Sequence, residues 1–164
     1  MIECNIEHAR RDYAAALTEL EQDHWGANAR PASPPDTPFF ERNPPENTLV
    51  AIAEPDSVIG YAVIGRRTPF VSNDHVLCLR SLVVHRYKRR LCVGSELLRA
   101  AIEEARTRGA ERLTLTVLSF NEPAINLYRK HGFAIEGRLV QEFRFGTAYV
   151  DDIFMALRLQ TLGL

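Results

Sequence analysis

Arg89-Arg90-Leu91-Cys92-Val93-Gly94-Ser95 joins an apolar, β-branched run, Leu77 to Val84, to the amphipathic pattern that follows it. The run reads as a strand and the pattern as a helix, with Val93, Leu97, Leu98, Ala101, Ile102 and Ala105 on one face. Glu96, Arg99, Glu103 and Arg106 take the other face, and Gly109 is placed to end the helix. A strand that feeds a basic turn and then a helix N-terminus makes an anion site. First-turn amides lack partners inside the helix, and the macrodipole places about half a positive charge there. This stretch therefore predicts a ligand that carries phosphate.

Working outward, Leu113 to Val117 reads as a buried strand, and Glu122 to His131 as a short helix closed by Gly132. The strand at 76–84, its helix and the strand at 113–117 form a βαβ unit, expected to be parallel and right-handed. Upstream, Ile2 to Ile6 is a short strand and Arg10 to Gln22 a helix, with Tyr13, Ala16, Leu17 and Leu20 on one stripe. The pattern dissolves over about 25–45, where Pro31, Pro34, Pro35, Pro38, Pro44 and Pro45 forbid a long element, although Phe39 to Arg42 has room for one helical turn. Such a loop is either a substrate lid or a proline-stiffened surface connection. Thr48 to Ala53 and Val58 to Gly65 form a hairpin around Glu54-Pro55-Asp56-Ser57. Val140 to Phe145 and Tyr149 to Leu157 form a closing hairpin around Gly146. The order β-α-loop-β-β-β-α-β-α-β-β predicts an α+β fold, an α/β sandwich whose mixed sheet carries helices on both faces.

A chain of 164 residues is expected to be a single domain. The net charge of -1 and pI near 6.5 argue against an electrostatic grip on nucleic acid. Cys4, Cys78 and Cys92 match no metal spacing and read as reduced thiols. The first residues, Met1 to Glu7, have neither the basic nor the apolar region of a signal peptide, and no apolar run is long enough to span a bilayer. No membrane association and a cytoplasmic location are therefore expected.

Arg89-x-x-Cys92-x-Gly94 resembles the loop signature Q/R-x-x-G-x-G/A of the GNAT superfamily of acetyl-CoA-dependent N-acetyltransferases. Leu82-Val83-Val84-His85 is similar to the strand end before that loop. Asn121-Glu122-Pro123-Ala124-Ile125-Asn126-Leu127-Tyr128 with Gly132-Phe133 is similar to the family's N-x-x-A-x-x-x-Y…GF segment. Gly146 to Asp152 and on to Met155 resembles the amino-acid and antibiotic N-acetyltransferase branches. The resemblance covers Thr48 to Leu157 well and the first strand and helix weakly; five features in the right order make it specific.

The resemblance implies a mixed, mostly antiparallel sheet of six to seven strands with a splayed central parallel pair, and a cofactor-binding core at about 76–133. Arg89, Arg90, Leu91, Cys92, Val93, Gly94 and Ser95 would cradle the diphosphate of acetyl-CoA. Leu82, Val83 and Val84 would pair with the pantetheine arm as an added strand does, and Asn121 would bond the same arm. Tyr128 would protonate the departing thiolate. Cys92 stands where the family usually has its first glycine. If that position needs a positive φ, a non-glycine residue there costs on the order of 1–2 kcal/mol; if φ is ordinary, Cys92 is only a small residue.

The residues also have structural readings. Asn121 suits a helix N-cap, Tyr128 lies on an apolar stripe, and the run Arg86, Lys88, Arg89, Arg90 suits a solvated turn as well as attraction of phosphates. An amine acceptor arrives protonated, so its proton leaves through a base, a water chain or desolvation; His75, Glu142, Asp151 and Asp152 are the candidate bases, with no motif to fix the choice. Histidine spacing gives no metal site. The acceptor is expected to be a small-molecule or peptide amine, and a homodimer is the default oligomer. Two rivals stand beside the acetyltransferase: a non-catalytic acyl-CoA-binding or sensor domain, motivated by Cys92, and a nucleic-acid module using the basic run, which would require salt-dependent retention on DNA.

Overall fold

The structure, a computed structural model, describes residues 4–28, 36–53 and 56–159, with backbone alone for 25–28. Its strands are β1 (Asn5–His8), β2 (Thr48–Ala53), β3 (Ser57–Arg66), β4 (Val76–Val84), β5 (Arg112–Leu118), β6 (Ala134–Phe145) and β7 (Ala148–Arg158). Its helices are α1 (Ala14–Asn28), α2 (Phe39–Arg42), α3 (Val93–Thr107) and α4 (Glu122–Lys130), and single 3-10 turns precede α1 and β2 and follow β4. The seven strands follow the order β1-β2-β3-β4-β5-β7-β6. β4 and β5 are parallel, in register from Val76↔Arg112 to Cys78↔Thr114, and β1/β2, β2/β3, β5/β7 and β6/β7 are antiparallel. This is the mixed, mostly antiparallel sheet that the sequence predicts.

The described residues fall into two compact units, one within 1–64 and 80–101 and the other within 65–79 and 102–164. In the first, Tyr13 of the turn before α1 and Leu17 and Leu20 of α1 join Phe39 of α2 and Val50, Tyr61, Val63 and Val83 of the strands in one buried cluster. Phe39 meets the Tyr61 ring edge-on at 5.1 Å. Successive strand residues face opposite ways, so Gly60 points away from Tyr61, toward α3. A Cβ on Gly60 would lie 2.8 Å from the Val83 carbonyl oxygen and 3.0 Å from Leu97 Cδ1. Helices thus cover both faces of β3, and Gly60 is what lets α3 sit close. Gly60→Ala should therefore lower stability by about 1–3 kcal/mol through overpacking; an unchanged midpoint in urea would show that the backbone has room.

In the second unit, the C-terminus of α3 closes on Gly109 (φ 77), where Gly109 N–H bonds to Arg106 O at 2.9 Å and Ala110 N–H to Ala105 O at 3.0 Å. Gly132 (φ 89) closes α4 the same way, with Gly132 N–H to Arg129 O and Phe133 N–H to Tyr128 O. Both glycines take the left-handed cap that ends a helix.

Three expectations need adjustment. α1 runs to Asn28 rather than stopping near Gln22, so the proline-rich loop placed at about 25–45 begins later. Apolar periodicity stops there, but no proline interrupts the backbone ladder before Pro31. Within that loop Phe39–Arg42 forms the expected helical turn, while 29–35 lie outside the described residues. The hairpin turn at 54–55 also lies outside them, as do 2–3 of the strand expected at Ile2 to Ile6, which runs instead from Asn5 to His8. Finally, β6 begins at Ala134, earlier than the expected Val140, because its residues are mostly exposed and give no buried alternation to read.

Candidate functional site

The first unit holds the strand–turn–helix that the sequence singles out. At the end of β4, Val83 is buried and Leu82 and Val84 are half-buried. His85 N–H reaches Ile59 O at 2.9 Å, and the chain then turns once through Arg86–Lys88, with Lys88 N–H on His85 O at 2.8 Å and Tyr87 N–H on His85 Nδ1 at 3.4 Å. Arg89 Nε donates to Val84 O at 3.2 Å, so the carbonyl at the strand end already has a partner. Arg90 (φ 61) and Cys92 (φ 70) are both left-handed. Cys92 O accepts Glu96 N–H at 3.0 Å, so Cys92 is the residue immediately before α3. Val93 and Gly94 follow as first-turn residues whose amides have no acceptor inside the helix.

The conformation of Cys92 answers the question its sequence position raises: φ is positive where the family pattern has glycine. Two L-residues in this region cost together on the order of 2–4 kcal/mol. Strain of this kind persists at ligand clamps, where left-handed residues between right-handed ones turn successive amides toward an anion. Cys92→Gly removes one strained residue and adds chain entropy to the unfolded state. The expected result is a gain of about 0.5–1 kcal/mol, hence a melting point higher by about 1–4 °C. A lower melting point would contradict strain at this residue.

Asp23 and His24 of α1 lie beside this loop. Asp23 Oδ2 lies 3.6 Å from Arg86 Nε. Burial lowers the His24 pKa below the usual imidazole value, the Arg89 charge adds to this, and Glu21 acts in the opposite sense. Glu21 is buried and chelates Arg42 of α2 through two bonds, Nη1–Oε1 at 3.1 Å and Nη2–Oε2 at 2.6 Å. Sequence reasoning missed these residues. The signal was there: Glu21 and His24 continue the apolar stripe of Tyr13, Leu17 and Leu20 one turn further.

In the second unit, Asn121 caps α4. Its Oδ1 accepts Ala124 N–H at 3.3 Å and its backbone oxygen accepts Ile125 N–H at 3.1 Å, which leaves the side-chain amide N–H groups for other work. Tyr128, two turns on, is buried with its ring 5.8 Å from that of Phe133. Burial pushes its hydroxyl well above the ordinary phenol range, so it stays protonated at any physiological pH.

Of the candidates for the acceptor side, Glu142, Asp151 and Asp152 lie close together where β6 meets β7, and His75 lies apart from them. His75 is exposed at the start of β4, and its backbone oxygen accepts Glu111 N–H at 2.8 Å. Glu142 is exposed in an irregular stretch where β6 shifts register between Leu139 and Phe143. Asp151 of β7 clamps that stretch, taking Gln141 N–H at 2.7 Å on Oδ1 and Arg138 Nε at 2.7 Å on Oδ2, and Gln141 is left-handed (φ 57). Asp152 is buried. A cleft of about 470 Å³ opens beside α4, lined by Ser119, Glu122, Ile125, Asn126, Arg129, Ile135, Arg138 and Ile153. Among the described residues no cluster of three His, Cys, Asp or Glu side chains could hold a metal ion, and no helix is long and apolar enough to cross a membrane.

Comparison with known proteins places this arrangement. The family model "Acetyltransferase (GNAT) family" matches residues 14–133. The L-amino acid N-acetyltransferase AaaT of Escherichia coli (strain K12) is 34% identical over 163 residues, covering 95% of this chain and 98% of that protein. The L-methionine sulfoximine/L-methionine sulfone acetyltransferase of Pseudomonas aeruginosa is 33% identical over 111 residues, 68% of this chain. The chain matches 64% of that relative's length, a little under two thirds. A GNAT superfamily phosphinothricin acetyltransferase from Sinorhizobium meliloti, solved in complex with acetyl-CoA, superposes with a TM-score of 0.84 over 95% of this chain and 88% of its own, at 19% identity. At that identity the likeness speaks for the fold alone.

Proposed function

As a member of the acetyltransferase (GNAT) family, this chain, we propose, transfers an acetyl group from acetyl-CoA to the primary amine of a small, amino-acid-like acceptor. The observation that carries this reading is the strained turn at Arg90 and Cys92 opening onto the N-terminus of α3. The turn has the right polarity for a diphosphate, with Arg89 and Arg90 exposed on it. Arg89 to Ser95 hold the diphosphate, and Leu82, Val83 and Val84 offer the strand edge to the pantetheine arm. Because Arg89 occupies the Val84 carbonyl, that arm either displaces the guanidinium or uses the neighbouring amides. Asn121 supports the arm through its free amide. Tyr128 gives its proton to the leaving thiolate. Acetyl-CoA supplies an activated thioester, and the amine attacks it directly in a ternary complex without an acyl-enzyme. Residues 1–164 act as one acetyltransferase domain in the cytoplasm, without nucleic acid, membrane or metal, and pair as a homodimer.

An amino-acid acceptor is supported by the alignment with AaaT, which spans nearly the whole of both chains. His75, Glu142 and Asp151 remain acceptor-side candidates, although the clamp that Asp151 forms with Gln141 and Arg138 argues for a supporting role. The test is a panel of amino acids, amino-acid analogues, antibiotics and peptides, with free thiol release as the readout. Release with at least one small amine is expected. Tight acetyl-CoA binding without release across the panel would instead identify a sensor domain.

A further inference from the structure

An amino-acid acceptor carries a carboxylate as well as an amine, and the residues assigned so far leave that carboxylate without a partner. The second unit offers one. β4 and β5 are in register only from Val76↔Arg112 to Cys78↔Thr114, although β4 runs on to Val84 and β5 to Leu118. The strand edge assigned to the pantetheine arm, Leu82 to Val84, lies between the diphosphate turn and the point where the two strands part. The thioester, at the far end of the arm from the diphosphate, therefore belongs at that parting. On β5, Thr116 is two residues beyond it, and Phe154 of β7 stands directly opposite Thr116.

The two faces of the sheet differ here. Ile125 and Asn126 of α4 line one cleft with Ile153 of β7, so α4 lies on the Ile153 face. Asn121, the residue assigned to the arm, begins α4, which gives that face to the coenzyme. Successive strand residues alternate, so Phe154 and Asp152 point to the opposite face, where an acceptor reaches the parting without crossing the coenzyme. Phe154 is half-buried there, and Asp152 is a buried carboxyl group.

Arg67 lies on this second face, with its guanidinium carbon 5.2 Å from the Phe154 ring centroid. It is exposed and has no carboxylate partner among the described residues, whereas Arg66 beside it is paired with Asp74. Stacking uses the flat face of the guanidinium and leaves the N–H fork in its plane for a planar anion. The loop that carries Arg67 is braced across its width. Thr68 Oγ1 donates to Asn73 Oδ1 at 3.1 Å, Asn73 N–H to Phe70 O at 2.9 Å and Asp74 N–H to Val71 O at 3.1 Å. A fork held by a braced loop and an aromatic platform loses little freedom when it binds.

We propose that Arg67, on its Phe154 platform, binds the carboxylate of the amino-acid acceptor and so selects amino acids over plain amines, a role that rests on the acetyl-transfer reading above. Two parallel N–H···O bonds hold the carboxylate. Asp152, two residues along the same face, supplies the opposite charge and suits the ammonium end. The α-nitrogen is two bonds from the carboxylate carbon, so fixing one end confines the nucleophile to the neighbourhood of the parting.

The test compares two substrates in one steady-state assay: the L-amino acid of the acceptor panel with the highest kcat/KM, and the amine left when its carboxyl group is replaced by hydrogen. Wild-type protein is expected to prefer the amino acid by at least about tenfold in kcat/KM. Arg67→Gln should cut that preference about 10- to 100-fold, with the loss carried by KM rather than kcat. Comparing the preference before and after the substitution cancels any difference in basicity between the two amines. Arg67→Lys keeps the charge and gives up the fork, so its preference should fall between the two. A side chain that merely packs on Phe154 would move both substrates together. Equal losses on both, or an unaltered preference in Arg67→Gln, overturn the proposal, as does wild-type protein with no preference. If Arg67→Gln fails to fold, Arg67→Lys and the wild-type preference decide. Wild-type protein that acetylates no amine brings down the acetyl-transfer reading and this proposal together, whereas an active wild type without the preference brings down this one alone.

Discussion

Tyr128→Phe is expected to lower kcat about 100-fold, roughly 2.7 kcal/mol of transition-state stabilisation, while the acetyl-CoA Kd stays within about threefold of wild type. The phenol hydroxyl is the only group lost, and the ring keeps its packing on Phe133. A departing thiolate, with a thiol pKa near 8.5, is a much stronger base than a carbonyl oxygen and needs a donor as charge builds on sulfur. Tyr128 meets the need in one respect: burial raises its pKa, so the donor is present throughout the physiological range. The sign also fixes the pH profile. A hydroxyl whose pKa lies above the ordinary phenol value, near 10, stays protonated up to at least that pH, so ionisation of Tyr128 produces no alkaline loss of rate below about pH 10. Stopped-flow or steady-state assays on both proteins check this, and an unchanged kcat removes Tyr128 from the chemistry.

Arg42→Leu should cost about 2–4 kcal/mol of stability. Removing one partner from a buried pair strands the other charge, and the loss reaches about 3–5 kcal/mol when both are fully buried. Here the side chain of Arg42 is 28% exposed and that of Glu21 11%, so the expected value is reduced for residual solvation. The melting point should fall by about 4–15 °C for a chain of this size. The double variant Glu21→Leu/Arg42→Leu should recover most of the loss, since neither charge is then left alone. A double variant no better than the single one would show that the pair fixes α2 to α1 by geometry rather than by charge.

Much of the fold was legible in the residues themselves. Val76–Val84 was bounded correctly because a β-branched run meets a basic turn at one end and a polar loop at the other. α3 was legible from its apolar stripe and Gly109, and α4 from Asn121 and Gly132, because caps and periodicity act within a few residues of each other. β6 was not, since an exposed edge strand lacks the burial that writes a period of two into a sequence. Asp151 illustrates the limit at the site. As a sequence position it was one carboxylate among several, and only its contacts with Gln141 and Arg138 mark it as a clamp.

The sequence alone determined which strand hands its chain to which helix, and that a basic turn between residues 89 and 95 runs into a helix N-terminus, because these features follow from local periodicity, capping and charge. The tertiary structure decided that Arg90 and Cys92 are left-handed, since their φ angles are imposed by where β4 ends and α3 must begin. It also decided that Glu21, His24, Arg42 and Arg89 gather at one place, because residues more than sixty positions apart meet only when α1, α2 and the loop pack around the same strands.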